Sequence, residues 1–401
     1  MKILLINQTF YPDPAATAQY LTDLARALVS SGHQVTVLTG RKNYLDASTR
    51  HPSKEIHEGI QILRVGGMIT GSRSKLIRIL EALWMNLAFT GKLLSLSGYD
   101  RIVGMTSPPM MAWAASLIAV WRKTPFVYWV MDINPDEAIE AKWIQKGSMQ
   151  AHILEWILKN TLKRCQKVIV LDHFMKDRLI LKGANPSRIE IISPWSHDED
   201  LETISHDQNI FRKQNGLENK FVVMYSGNHS ICHPLNTLLQ AAYELKENQN
   251  IMFVFIGGGE RVKDVAEFKI KHRLSNILQF PYQERKSLSH SLSAADIHVV
   301  VMGDPYVGIV HPCKLYGILK IGRPFVYIGP EKSHIAEIIE AGHVGYAVRH
   351  GEVSKLAHFF EEVKNLSVDM KEDISAHEKM AVQKYQSQTL ISRWIKILIH
   401  S

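Results

Sequence analysis

The order of its apolar runs constrains this chain more than any other feature. Short apolar runs alternate with segments of helical period, in two series on either side of one polar stretch. In the first series, residues 3–7, 34–39, 60–65, 102–105, 126–130 and 168–171 read as strands, and 15–31, 75–97, 110–121 and 149–163 as helices. The stretch 194–219, containing SHDEDLETISHDQN, is polar and reads as a linker. In the second series, strands at 221–226, 252–256, 277–280, 297–301 and 325–328 alternate with helices near 235–246, 261–272, 286–294, 312–321 and 335–340. Such an order demands mostly parallel sheets covered by helices on both faces. The fold class is therefore α/β, with two doubly wound, Rossmann-like domains facing across a cleft. The expected division is 1–200, 201–375 and a long amphipathic helix over 376–401 that crosses back to the first domain.

A length of 401 residues fits two domains, and 46% hydrophobic with 21% charged residues is a globular composition. The net charge of +8, from 47 basic and 39 acidic residues, suits an anionic substrate or an anionic membrane surface. With no binding motif for it, nucleic acid is not expected. Cys165, Cys232 and Cys313 lie far apart without a CxxC, so neither a disulfide framework nor a zinc site is expected. The N-terminal run MKILLINQTF is too short for a signal peptide, and no apolar run reaches the roughly 18 residues of a membrane span.

Ligands of doubly wound sheets bind at the carboxyl ends of the strands. The loop after the first strand, NQTFYPDPAAT, contains no glycine, so the dinucleotide fingerprint is absent and a nicotinamide enzyme is not expected. Gly308 to Pro330, GIVHPCKLYGILKIGRPFVYIGP, instead presents a helix start beside a lysine and a histidine, an arrangement suited to an anion such as a diphosphate.

The chain resembles the GT-B retaining glycosyltransferases of family 4, in their bacterial surface-polysaccharide branch. The resemblance rests on INQTFYPDPAATAQYLTDLARALVSSGHQVTVLTG, MTSPPMM, WVMDINPD and IISPW in the first half. In the second it rests on YSGNHSICHPLNTLLQAA, FIGGGE, LQFPYQER, SAADIHVVV and HPCKLYGILKIGRP, in this order. It implies transfer of a sugar from a nucleoside diphosphate sugar to a hydroxyl of a saccharide acceptor, lipid-linked and at the inner face of a membrane. It implies neither metal nor separate cofactor. The family's two glutamates fall here on Ile309 and Gly317, and its basic pair on Asn228 and His233; a related branch, PSKLYGILAAGRP, also has glycine at the second glutamate position.

Lys314 is the leading candidate, as the cation for the departing diphosphate, or else a solvated lysine; His311 and Pro312 set its turn, and Leu315 follows it. Gly227, Asn228 and His229 either offer backbone N–H groups to phosphate or form a plain strand-to-helix turn. His233 reads as a second positive group or an ordinary helix-start histidine. The glycines of Gly257-Gly258-Gly259-Glu260 admit a ligand or permit a tight turn. Tyr282 and Gln283 border the nucleobase by resemblance, or are surface loop residues. Asp132 acts on the acceptor hydroxyl, or caps the turn DINPD. Asp13 and Thr17 touch the acceptor or cap the next helix. The pair Asp132 and Asp136 and the cluster 197–200 lack a convincing metal-ligand set. The segment 73–92, with Arg73, Lys75 and Arg78, docks on anionic lipid or forms a core helix with snorkelling ends. Competing readings are a sugar-nucleotide epimerase or hydrolase on this fold, or a non-catalytic nucleotide-sugar-binding protein.

Overall fold

A computed structural model describes residues 1–44, 46, 49–66, 75–196, 201–366 and 368–400, with only the backbone of 75–79, 368–372 and 374. Two compact units divide the chain. The first is Met1–Pro194 with Gly308–His311 and Leu390–Ser401; the second is Trp195–Val307 with Pro312–Thr389.

The first unit runs β1 (Lys2–Ile6), α1 (Ala16–Ser30), β2 (Gln34–Gly40), β3 (Lys54–His57), β4 (Ile60–Val65), α2 (Lys75–Leu94), β5 (Arg101–Met105), α3 (Met111–Trp121), β6 (Phe126–Trp129), α4 (Asp136–Glu140), α5 (Met149–Arg164), β7 (Lys167–Val170), α6 (His173–Leu181) and β8 (Ile189–Ile191). Its eight strands lie in the order β3-β4-β2-β1-β5-β6-β7-β8, parallel except for β3, which pairs antiparallel with β4. The β3–β4 turn is Glu58-Gly59, both at positive φ (50° and 77°), the backbone that a two-residue hairpin requires. This strand reads poorly in sequence because KEIH is short, polar and an edge.

The second unit runs α7 (Ile210–Gln214), β9 (Phe221–Ser226), α8 (Asn236–Glu244), β10 (Ile251–Ile256), α9 (Val262–His272), β11 (Ile277–Phe280), α10 (Leu288–Ser293), β12 (Ile297–Val301), α11 (Lys314–Ile321), β13 (Phe325–Ile328), α12 (His334–Gly342), β14 (Tyr346–Val348), α13 (Val353–Lys364) and α14 (Val368–Val382); α15 (Ser387–His400) ends the chain. Its six strands are ordered β11-β10-β9-β12-β13-β14. All of them are parallel. The strand period of two divides the core. Phe221, Val223, Tyr225, Phe253 and Phe255 enter one apolar layer, while Val222, Met224, Val254 and Ile256 enter the other. Strand order reverses direction between β9 and β12, the topological switch point at which such sheets hold ligands.

Two expectations need correction. The stretch 201–219 is not a free linker. Glu202 N–H donates to Ser289 Oγ (3.0 Å), Asn209 Nδ2 to the His290 carbonyl (2.8 Å), and buried Arg212 pairs with Asp296 (3.0 Å), so polar residues here pay for packing by hydrogen bonding. Nor is the C-terminal segment one helix. It breaks at 383–386, where Gln386 turns extended (ψ 134°) to bridge Ser196, and Ser196 N–H donates to the Tyr385 carbonyl (3.1 Å). Beyond the break, Trp394 of α15 packs against Trp129 of β6 within the first unit, ring centroids 4.4 Å apart and planes tilted by 49°.

Candidate active site

In the second unit four segments meet at the carboxyl end of the sheet: the loop after β9, the loop after β10, the loop after β11, and the first turn of α11. Glycine lets the first two interlock. Gly257, at φ 131°, lies so close to the loop after β9 that a Cβ there would stand 2.0 Å from the Gly227 carbonyl oxygen. A Cβ on Gly259 would stand 2.3 Å from Asn228 Oδ1. Gly258 abuts the Tyr282 ring, with a would-be Cβ 2.8 Å from Cε2, and the Tyr282 hydroxyl reaches the Gly258 carbonyl (3.4 Å). These glycines pack the loops against one another, a role that neither of the readings given above, ligand access and a tight turn, names.

The same interlock uses up backbone donors. Gly227 N–H donates to Ile256 O (2.9 Å) and His229 N–H to Gly258 O (2.7 Å), so neither is aimed at a phosphate. Asn228 is exposed, and its carbonyl accepts from the Tyr225 hydroxyl (2.8 Å).

Against this frame lies Lys314, the first residue of α11. Its Nζ is buried and has no hydrogen-bond partner among the described residues. It sits 3.5 Å from the centroid of the Tyr225 ring, and beside Gly227, where a Cβ would meet Nζ at 3.5 Å. The ring face offers a weak attraction to the ammonium. It does not replace lost hydration, and burial lowers the Lys314 pKa to about 7. His229 and His233 lie in the same electrostatic neighbourhood. Burial, followed by the charge of Lys314, lowers His229 to about 4 and His233 well below its ordinary value. Both rings are therefore neutral at pH 7. His229 Nε2 and His233 Nδ1 also lack partners among the described residues, although His229 Nδ1 is 3.1 Å from the Gly227 carbonyl. His233 is thus not a second positive group in the free protein, because burial suppresses its charge.

The remaining candidates lie beside this frame or outside it. Leu315 is fully buried, and Gln283 hydrogen-bonds to the Pro281 carbonyl (2.9 Å) at the surface of its loop. His311 counts with the first unit, where its Nδ1 is 2.8 Å from the Asp172 carboxylate. Sequence reasoning missed Tyr225 and Cys232, whose Sγ is 3.7 Å from His233 Nε2. The signal for Tyr225 was an aromatic residue two positions before the strand-end glycine.

In the first unit Asp132 follows β6 and keeps part of its surface open. Desolvation, then the neighbouring Glu137, raises its pKa to about 8. Glu137 is raised by burial as well and accepts from Asn134 Nδ2 (3.3 Å). Asp136 is instead tied to Arg178 (2.8 Å) and Lys182. Asp13 accepts from the Tyr44 N–H (3.0 Å) and is 3.2 Å from His51 Nε2, while Thr17 Oγ1 is 3.2 Å from Thr9 Oγ1. Neither caps α1, whose N-cap is Ala15. Residues 197–200 and Arg73 lie outside the described residues.

Comparison with known proteins fits this arrangement. Residues 16–195 match the family described as glycosyl transferase 4-like domain, and residues 207–379 that described as glycosyl transferases group 1. The chain is 22% identical over 353 residues to the putative colanic acid biosynthesis glycosyl transferase WcaI of Escherichia coli, covering 85% of this chain and 86% of that one. It is 20% identical over 269 residues to the probable glycosyltransferase WbjE of Pseudomonas aeruginosa, 67% of each. Among solved structures, HepE of Anabaena in complex with UDP and glucose superposes over 100% of both chains with a TM-score of 0.75 at 16% identity. WaaG, a glycosyltransferase involved in lipopolysaccharide biosynthesis, does so with a TM-score of 0.73 at 16% identity, again over 100% of both chains.

Proposed function

Since this chain belongs to the group 1 glycosyltransferases of the GT-B type, behind a glycosyl transferase 4-like domain, we propose that it transfers a sugar from a nucleoside diphosphate sugar to a hydroxyl of a lipid-linked saccharide, with retention of configuration. The setting is assembly of a bacterial surface polysaccharide at the inner face of the membrane, and no separate cofactor takes part. WcaI is named for colanic acid biosynthesis, and HepE has been solved with UDP-glucose, which supports this class of pathway and donor.

The observation that carries the reading is Lys314. An ammonium buried without a hydrogen-bond partner is costly in a folded protein. A diphosphate beside it would supply the missing counter-charge, through charge-assisted hydrogen bonds worth about 1.5–3 kcal/mol each. As the sugar–phosphate bond breaks, negative charge grows on the departing diphosphate. A cation already in place stabilises that charge without reorganisation. Gly227 leaves room beside Nζ, and Tyr282 and Gln283 flank the nucleobase. Asp132, with a pKa near 8, orients the acceptor hydroxyl and accepts its proton.

The test is acceptor-dependent transfer. Purified protein is given a panel of radiolabelled nucleotide sugars, with or without a lipid extract from a host blocked in surface polysaccharide assembly. Label should enter the lipid fraction only with the extract, and Lys314→Ala should lose most of that activity. Release of free sugar regardless of extract would make the protein a hydrolase; interconversion of the donor would make it an epimerase.

A further inference from the structure

The segment Gly308–His311 comes from the second half of the sequence but packs in the first unit. Contacts at both of its ends and at its centre seat it there. Gly308, at φ 67°, lies so near the start of α6 that a Cβ would stand 2.7 Å from the Phe174 carbonyl oxygen. The Ile309 carbonyl accepts the Ile133 N–H (2.9 Å). His311 Nδ1 donates to Asp172 Oδ2 (2.8 Å), and both side chains are almost wholly buried. Asp172 is itself fixed, because its Oδ1 caps α6 by accepting the Met175 N–H (2.8 Å). Ile309 and Val310 are buried as well, so the segment is packed within the first unit rather than laid over its surface.

The segment packs beside Asp132. β6 and β7 are parallel neighbours, so the residues that follow them share one end of the sheet. Asp132 comes after β6 and Asp172 after β7. Ile133, which donates to Ile309, directly follows Asp132 in the chain. Its carbonyl accepts the N–H of Glu137 (2.9 Å), the carboxyl neighbour of Asp132. The residue next to Asp132 is thus held at both its N–H and its carbonyl. A hydrogen bond from a histidine ring to a carboxylate, away from water, is strong and directional. Breaking it leaves a buried carboxylate with one partner fewer, so the pair holds the segment in register. By the resemblance noted above, Ile309 stands where the family has a glutamate. Here its side chain is fully buried, and its backbone carbonyl makes the contact.

We propose that residues 308–311 complete the acceptor side of the transferase, with Asp172 and His311 as the pair that positions Asp132. Neither touches the reacting atoms. They hold Ile309 against Ile133, and through it the carboxylate that takes the acceptor's proton. Glu137 of α4 and Tyr128 of β6 also face Asp132, so the segment adds a third element to those around the carboxyl. Release of the segment frees Ile133 and lets water reach Asp132, whose pKa then falls from about 8 toward the ordinary carboxyl range. The inference rests on the reading of Asp132 as the acceptor's base, but the first part of its test needs no sugar.

The test is a double-mutant cycle on the full chain, read from urea midpoints at about pH 4 and about pH 8. Asp132→Asn is made in wild type and in His311→Leu, and comparison within each background cancels the titration of His311 itself. In wild type the stabilising margin of Asp132→Asn should grow as pH rises; in His311→Leu most of that growth should be lost. Gly308→Ala, which forces a Cβ against the Phe174 carbonyl, should lose it too. His311→Asn, whose amide can still donate to Asp172, should keep it. Ser148→Ala removes a comparable cap from α5 and should also keep it, which separates positioning from a general loss of stability. In transfer assays, His311→Leu should move the rising limb near pH 8 down by roughly one pH unit and lower the rate above it by about tenfold or more. Equal growth of the margin in wild type and His311→Leu would overturn the proposal, as would a loss just as large in His311→Asn. So would no growth in wild type, since no displaced carboxyl would then be there to position. The expected cycle in a protein without transfer activity would support the positioning of Asp132 and count against the transferase reading alone.

Discussion

At the scale of single residues, burial displaces Asp132 and Lys314 from their ordinary ranges in opposite senses. Asp132 is raised to about 8, first by desolvation and then by Glu137. Its folded-state pKa lies above its unfolded value. Between about pH 4 and pH 8 the folded chain therefore holds a proton that the unfolded chain has released, and stability declines as pH rises through that window. Asn mimics the protonated acid without that decline. Asp132→Asn should thus be more stable than wild type, by a margin that grows from pH 4 to pH 8, as read from urea midpoints. It should also lose the rising limb of the transfer rate near pH 8, with general-base losses of roughly 10²–10⁴-fold, while binding donor normally. Equal urea midpoints at both ends of the window would remove the raised carboxyl from the account. Lys314 was legible in the sequence as a candidate because of its place after His311-Pro312. Its burial over Tyr225 was not, since which strand-end aromatic lies beneath a given helix start depends on sheet order, and sheet order is non-local.

At the scale of elements, the strands of both series were legible because their apolar runs are buried on both faces, as in β9 and β10. Apart from α13, a twelve-residue helix with Leu356, Phe360 and Val363 buried, the elements missed were short or polar. β3 is an edge, α4 and β14 have five and three residues, and α6 contains HFMKDRLIL, whose polar residues blur the helical period. The glycines after β10 were legible as special but not as loop-packing residues, because the partner loop begins about thirty positions earlier in the chain. That packing makes a prediction. At Gly257 a methyl group meets both a positive φ and the Gly227 carbonyl oxygen at 2.0 Å. Gly257→Ala should therefore push the two loops apart, with a cost on the order of 1–3 kcal/mol and a displaced Lys314 cradle. Thermal unfolding should show a lowered midpoint, and donor affinity should fall more than stability alone accounts for. A variant with native midpoint and affinity would mean that the interlock of these loops is not required.

At the scale of the whole molecule, the family matches make the chain a glycosyltransferase, and the anionic donor is the proposed part of that reading. The central claim is that the donor diphosphate is held by Lys314, the buried ammonium with a pKa near 7. A bound anion favours the charged form and raises that pKa, so binding at pH 8 must draw a proton from the buffer. The sign is fixed: donor affinity is greatest at and below pH 7 and weakens as pH rises beyond it. An intact nucleotide sugar is the right probe, since its diphosphate is a diester and does not itself titrate in this range. The decisive measurement is calorimetric titration at pH 8, in two buffers of different ionisation enthalpy, with the tightest binder from a panel of uridine, guanosine and deoxythymidine diphosphate sugars. Wild-type protein should take up a substantial fraction of a proton, and Lys314→Met should lose that uptake along with about tenfold or more in affinity. Equal affinity and equal proton uptake in the two proteins would contradict the claim.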